Sequence, residues 1–312
     1  MLADLNMKIL YAGSSHSSSL ILESLIDGSN EVIGVISQPD RRSKRRGALE
    51  PSYVSSVAEK NNIAIYKPLA LDENFKQQIL KLNFDILLVV AYGKILPAWL
   101  LKSPSKESIN IHYSLLPKYR GASPIQSALL NDEEVTGISV MKMTHGLDEG
   151  PVYIFHKQKI CDKDNKNTLE QKLTSLASKN IDKDLSDIYL GKLAPIEQDS
   201  KNISYCKKID KLSGKVILDQ EETNSIFRKY RAYYGWPGLY FELKDLKIKI
   251  HGIDVNIHKN TEFVNNKFYF QDSLLYAKTI DGSIVITHLQ FPGKGIISSN
   301  DAANSYADFF KH

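Results

Sequence analysis

Residues 7–40 read MKILYAGSSHSSSLILESLIDGSNEVIGVISQPD. An apolar run, MKILYAG, is followed by an amphipathic, helix-like stretch closed by Gly28, and EVIGVISQPD then resumes as a strand that ends in turn residues. The pattern repeats downstream, where IAIYKP (63–68), helical DENFKQQILKLN (72–83) and the run DILLVVAYG (85–93) follow in order. Continuous apolar strands alternating with helices predict a parallel sheet covered on both faces. Ligands bind beyond the carboxyl ends of such strands, which directs attention to Gly13, Gln38–Asp40, Ala91–Gly93 and Asn110–His112.

The first strand and helix invite a dinucleotide-binding reading. YAGSSHSS (11–18) has one glycine where that fingerprint needs three, so a close main-chain approach to a pyrophosphate is not expected. Further along, residues 167–190 predict a long helix, and GKLAPIEQDSKNIS (191–204) has the composition of a linker. The texture then changes to short alternating strands in LKIKIHGIDVNI (246–257), KFYFQD (267–272) and GSIVITHLQF (282–291). The expected organisation is α/β: a Rossmann-like, mostly parallel sheet domain over 1–190, a linker at 191–205, and a small OB-like β-barrel domain over 206–312.

Bulk composition narrows the class. At 312 residues, 42% hydrophobic and 24% charged, the chain is of ordinary globular type and long enough for a core without staples. Its two cysteines, Cys161 and Cys206, have neither disulfide-framework nor zinc-site spacing, which suits a reducing cytoplasm. The opening MLADLNMKILYAG predicts no signal or transit peptide, and no apolar segment has the ~20 residues of a membrane helix. Residues 1–200 carry 24 basic and 24 acidic side chains, whereas residues 201–312 carry 16 and 12, so the net charge of +4 lies in the last third. That excess hints at a basic C-terminal piece and is also what an indifferent solvated surface carries.

The chemistry concentrates in INIHYSLLPKYRGASPIQ (109–126). Asn110 and His112 stand two apart at a strand end, so they share a face. An amide donates to a developing oxyanion, and an imidazole exchanges a proton near neutral pH. A hydrogen-bonded strand end presents the same pair. The Pro-containing loop that follows has open main-chain amides before a helix, and MTHGLDEGP (143–151) places Asp148 between Gly146 and Gly150. A carboxylate there can orient a histidine or accept a proton, and it can equally be a turn aspartate. RRSKRR (41–46) puts five cations in six positions, either as a solvated loop or as a clamp on phosphates.

The order NIHYSLLPKYRGASPIQ, then TGISVMKMTHGLDEG, is similar to the folate-dependent formyltransferases, and ISQPDRRSKRRG with GWPGLYF narrows the likeness to those that act on methionyl-tRNA. The resemblance runs from about residue 7 to the end. It implies that Asn110, His112 and Asp148 are catalytic. It also implies that Ser114, Leu115, Leu116 and Pro117 help bind folate, and that VVAYGKIL (89–96), with Val90, Ala91, Tyr92 and Gly93, lines the pterin pocket. Arg41, Arg42, Lys44, Arg45 and Arg46 fall where the family inserts a tRNA-contacting loop, and Lys118 and Arg120 are placed to meet the folate tail or the substrate. The implied co-substrate is 10-formyltetrahydrofolate, without a metal, and the implied partner is initiator methionyl-tRNA, in a cytoplasmic monomer with no membrane association.

Two departures from the family pattern stand out: SSHS (14–17) replaces Thr-Pro before an acidic or aromatic residue, and LSGKVILD (212–219) replaces an acidic-alanine run ending in Asp-Trp. The resemblance leaves an amino-sugar nucleotide formyltransferase as the rival enzyme, with a formyltetrahydrofolate hydrolase further away. A non-catalytic RNA-binding protein on the same scaffold predicts a broken triad, whereas the three residues here are intact.

Overall fold

A computed structural model of the chain describes residues 7–42, 47–254 and 267–311, which form two compact units. The first unit contains β1 (Lys8–Gly13), α1 (His16–Ile26), β2 (Glu31–Ile36), the short strands β3 (Arg41–Arg42) and β4 (Leu49–Glu50), α2 (Tyr53–Lys60), β5 (Ile65–Tyr66) and α3 (Glu73–Ile79). It continues with β6 (Ile86–Val90), α4 (Ala98–Leu101), β7 (Glu107–His112) and β8 (Arg120–Gly121), after which α5 (Pro124–Leu130) leads out of it. β9 (Val135–Lys142), β10 (Val152–Lys159), most of α6 (Lys166–Tyr189) and β11 (Tyr205–Cys206) complete it.

Its seven-stranded sheet runs β10-β9-β7-β6-β1-β2-β5. The five strands from β7 to β5 are parallel, while β9 is antiparallel to both β7 and β10. All five positions of β6 are buried, as a central strand with both faces covered requires. By contrast β10 lies at the edge, and its alternating exposure, in VYIFHKQK, is that of a strand with one wet face. The sequence reading did not include this strand.

Helix starts are set by small polar residues: Ser15, Ser52 and Asp72 accept from the main-chain N–H groups of Ser18, Ser55 and Phe75, capping α1, α2 and α3. The unusual SSHS turn is thus a cap in its own right, and Ser14 Oγ also accepts the Gln38 N–H at 3.0 Å. α1 ends at Ile26, one residue before its cap Asp27, rather than at Gly28. On α6, Leu169, Leu173, Ala177, Ile181, Leu185 and Ile188 are buried at three- and four-residue spacing, one face of a helix.

The segment read as a linker is instead built onto the first unit. Ile196 exchanges both main-chain hydrogen bonds with Val152, at 2.8 and 2.9 Å, and β11 pairs in parallel with β8. The unit boundary therefore falls after Cys206. It also leaves the expected 1–190 domain elsewhere, because Ile125–Glu133 and Cys161–Thr168 group with the second unit. Arg231, buried on α7 (Thr223–Ala232), explains this grouping: its Nε donates to Asp164 O at 2.7 Å, its Nη2 to Cys161 O at 3.0 Å, and its Nη1 lies 3.7 Å from Asp132 Oδ1.

The rest of the second unit is an antiparallel sheet of β12 (Leu239–Leu243), β13 (Leu246–Asp254), β14 (Phe268–Gln271), β15 (Leu274–Lys278) and β16 (Ser283–Gln290), in the order β12-β13-β16-β15-β14. β17 (Ile296–Ser298) adds to β16, and α8 (Ser299–Phe310) follows it. Although β12 and β14 end the strand order, the rings of Phe241 and Phe268 lie 5.2 Å apart, so the sheet must coil until its edges approach. Among the described residues no helix is long and apolar enough to cross a membrane.

Removing the Arg231 head takes a charged donor from the Asp164 and Cys161 carbonyls and one of two nearby cations from Asp132, which keeps Arg228 Nη1 at 3.9 Å. Arg231→Ala is expected to destabilise the second unit by about 2–4 kcal/mol, since hydrogen bonds from charged donors contribute ~1.5–3 kcal/mol each and are not additive. Urea unfolding followed at Trp236 reads this directly, and an unchanged midpoint would contradict it.

Candidate active site

Strand β7 carries Asn110 and His112 to its carboxyl end, between β6 and β9. Asn110 sits opposite Val89 and Met141, and His112 opposite Ser139. The His112 ring is 6% exposed, and its Nε2 lies 2.9 Å from Tyr119 O. A carbonyl only accepts, so Nε2 carries the proton there. Nδ1 consequently faces Asp148 Oδ2, at 3.7 Å. That separation is longer than a hydrogen bond and leaves Nδ1 the nitrogen open to exchange.

Asp148 follows β9 in a loop and itself adopts the left-handed conformation, with φ 50, a cost usually met by specific contacts. Its Oδ2 accepts the Gly121 N–H at 2.8 Å. Only glycine fits at position 121, because its φ is +114 and a Cβ there would lie 2.6 Å from Cys206 O. The loop before β8 thus serves both partners, with Tyr119 O on the imidazole and Gly121 N–H on the carboxylate.

The other expected residues separate into inner supports and open surface. Ser114 is fully buried: its hydroxyl donates to Lys118 O at 2.6 Å, and its carbonyl accepts from Ser139 Oγ at 2.6 Å. Leu116 donates its N–H to Ser139 Oγ and packs with Met141 and Val152. Leu115 and Pro117 are half-buried, with Leu115 Cδ2 lying over Gly137 of β9. At the end of β6, Val90 and Tyr92 point into the core, whereas Ala91 and Gly93, at φ 48 and 82, leave their main chain exposed. The Tyr92 hydroxyl has no hydrogen-bond partner among the described residues, and burial pushes its pKa up to about 12.

A recess of about 390 Å³ lies at the amino end of β7, where Leu101, Glu107, Lys142, Met143, Thr144 and His145 line it, and it does not include residues 90–93, Asn110, His112 or Asp148. The buried Thr144 hydroxyl has no hydrogen-bond partner among the described residues.

Arg120 is not free to meet a ligand tail. It is 6% exposed, with Nε and Nη2 on Gln198 Oε1 at 3.0 and 2.8 Å, while Lys118 is exposed. Arg41 and Arg42 are exposed on β3, paired with Glu50 and Leu49; Lys44, Arg45 and Arg46 lie outside the described residues. Sequence reasoning missed Tyr119, Gly121, Gln198 and Cys206. The first two act through main-chain atoms, which side-chain identity does not announce, and the last two lay in or beside the supposed linker.

Known proteins match the chain in sequence and in fold. The family described as formyl transferase matches residues 5–183, and the formyl transferase C-terminal domain matches residues 208–307. The methionyl-tRNA formyltransferase of Sulfurihydrogenibium sp. (strain YO3AOP1) is 34% identical over 305 residues, covering 96% of this chain and 97% of that one. That of Buchnera aphidicola subsp. Acyrthosiphon pisum (strain Tuc7) is 36% identical over 308 residues, covering 98% of each. Among solved structures, an N-formyltransferase from Helicobacter canadensis in complex with folinic acid and dTDP-3-aminofucose superposes with a TM-score of 0.67 at 18% identity, covering 90% of this chain and 98% of that one. The likeness in structure concerns the fold.

Cys206 lies against the same loop, its Sγ accepting the Ser123 N–H at 3.2 Å and donating to Arg120 O at 3.2 Å. Burial pushes its thiol pKa up, so at a given pH less thiolate is present than for an ordinary cysteine. Iodoacetamide at pH 8 is expected to label the exposed Cys161 well before Cys206, with Cys206 catching up only at higher pH. Peptide mass spectrometry over time checks the order, and equal rates at pH 8 would refute it.

Proposed function

The chain belongs to the formyl transferase family, and we propose that it transfers the formyl group of 10-formyltetrahydrofolate to the α-amino group of methionine on initiator tRNA. The observation that supports the chemistry is that His112, two residues after Asn110 at the end of β7, has its Nδ1 3.7 Å from Asp148 Oδ2. Full-length likeness to methionyl-tRNA formyltransferases supports the choice of acceptor.

The reaction requires a neutral amine, a positioned formyl carbon and stabilisation of the oxyanion that forms on attack. In this reading the Asn110 amide donates to that oxygen. His112 Nδ1 moves the proton between the attacking and departing nitrogens, while the Tyr119 carbonyl holds Nε2 and so keeps the ring's orientation fixed. Asp148 offers a negative charge to the ring when it is protonated. The folate ring is assigned to the open main chain at Ala91 and Gly93, at the carboxyl end of β6. No metal is called on.

We assign Arg41, Arg42, Lys44, Arg45 and Arg46 to tRNA phosphates and residues 207–312 to a second tRNA contact, in a cytoplasmic monomer. The rival acceptor, an amino-sugar nucleotide, gives no role to five clustered cations. A formyl-transfer assay with charged initiator tRNA beside an amino-sugar nucleotide separates the two, and transfer to the sugar alone would overturn the proposal.

Two results are expected within that assay. Asn110→Ala lowers kcat by roughly 10²–10³, the usual loss for one oxyanion donor, and near wild-type turnover would remove Asn110 from the mechanism. Replacing the five cations by alanine flattens the dependence of log K on log[salt] for tRNA by roughly 1.5–2.5, if two or three touch phosphates at ~0.7–0.9 each. Filter binding at several salt concentrations measures it; an unchanged slope and affinity would return the loop to an ordinary solvated surface.

A further inference from the structure

Gln198 lies in a stretch that is otherwise mostly exposed, yet its amide is used at both ends. Its Oε1 accepts from Arg120 Nε and Nη2, at 3.0 and 2.8 Å. Its Nε2 donates to Asp148 O at 2.8 Å and to Gly150 O at 2.7 Å. The orientation of the amide is fixed by its partners, because a guanidinium only donates and a carbonyl only accepts. Gln198 is itself held in place by the double main-chain bridge between Ile196 and Val152, two residues upstream.

These contacts meet the two loops that flank the His112 ring. Arg120 immediately precedes Gly121, whose N–H holds the Asp148 carboxylate. Asp148 O belongs to the residue whose left-handed backbone must be kept from relaxing. One amide therefore fixes the main chain of Asp148 directly and, through Arg120, the donor to its side chain.

We infer that Gln198 is a positioning residue for the formyl-transfer step, setting Asp148 against His112 Nδ1 without touching substrate. This rests on the proposed function. It assigns a catalytic consequence to a residue that sequence composition placed in a linker. The cost of losing it is geometric: displacement of about 1 Å at a reacting constellation lowers rates by ~10²-fold, while binding surfaces built elsewhere are unaffected.

Two variants separate positioning from mere support of a buried cation. Gln198→Leu removes every contact. Gln198→Glu retains acceptors for Arg120, so the guanidinium stays partnered, but a carboxylate has no N–H to give to the Asp148 and Gly150 carbonyls. Both variants are expected to lose about 10–100-fold in kcat while KM for tRNA and for folate stays near that of the wild type, and Gln198→Glu should keep the wild-type thermal midpoint. Full kcat in folded Gln198→Glu would overturn the inference, since Arg120 support alone would then suffice. A loss confined to KM would overturn it as well. Wild-type turnover is measured first: if no formyl-methionyl-tRNA forms there, the functional reading fails and this inference falls with it, a result distinct from any difference among the variants.

Discussion

Asp148 Oδ2 accepts the Gly121 N–H at 2.8 Å and faces His112 Nδ1 at 3.7 Å, so one oxygen joins two loops that are 27 residues apart in the chain. The geometry around it is consistent only if each loop is already in place. Gly121 must present its N–H from a conformation open to glycine, and Asp148 must hold a left-handed backbone. Most of the site's local architecture serves those two conditions. Ser139 ties down the turn at Ser114–Leu116, β11 pairs alongside β8, and Ser204 Oγ accepts the Tyr119 N–H at 2.9 Å.

The sheet makes the imidazole's position rigid before any loop is considered. β7 is hydrogen-bonded on both sides, parallel to β6 and antiparallel to β9. Its register therefore cannot slip by one residue without turning Asn110 and His112 to the opposite face and exposing the buried Ile109 and Ile111. The reversal at β9 also matters. Because β9 runs against β7, the chain that leaves it must turn back, and that returning loop carries Asp148 toward the ring before β10 begins.

The pattern of buried apolar runs was sufficient to read β1, β2, β6 and the parallel sheet from sequence, because burial on both faces leaves few polar choices. The shared face of Asn110 and His112 followed from strand geometry alone. The bracing of 191–206 was not legible, for a physical reason. Ile196 is held by main-chain hydrogen bonds to Val152 and remains 69% exposed, so its side chain carries no imprint of the contact. Gln198 looks like any polar linker residue until its four hydrogen bonds are seen. The grouping of Cys161–Thr168 with the second unit was hidden likewise, since Arg231 reaches carbonyls, which every residue possesses. The glycines around Asp148 were noticed, but the strained backbone belongs to the aspartate itself.

The same distinction accounts for the two departures from the family pattern. At residues 14–17, Ser15 caps the Ser18 N–H of α1 and Ser14 reaches the Gln38 N–H, which is work that several small polar residues can perform. At residues 212–219 the replaced run keeps its structural contacts: Val216 and Leu218 are buried, and the Val216 N–H donates to Tyr240 O at 2.9 Å within the second unit. A helix cap or an apolar volume can be supplied by several residue types. Gly121 cannot be replaced freely, because a Cβ there would meet Cys206 O, and one atom type in one orientation is needed at the Asp148 carboxylate and the two-sided amide of Gln198.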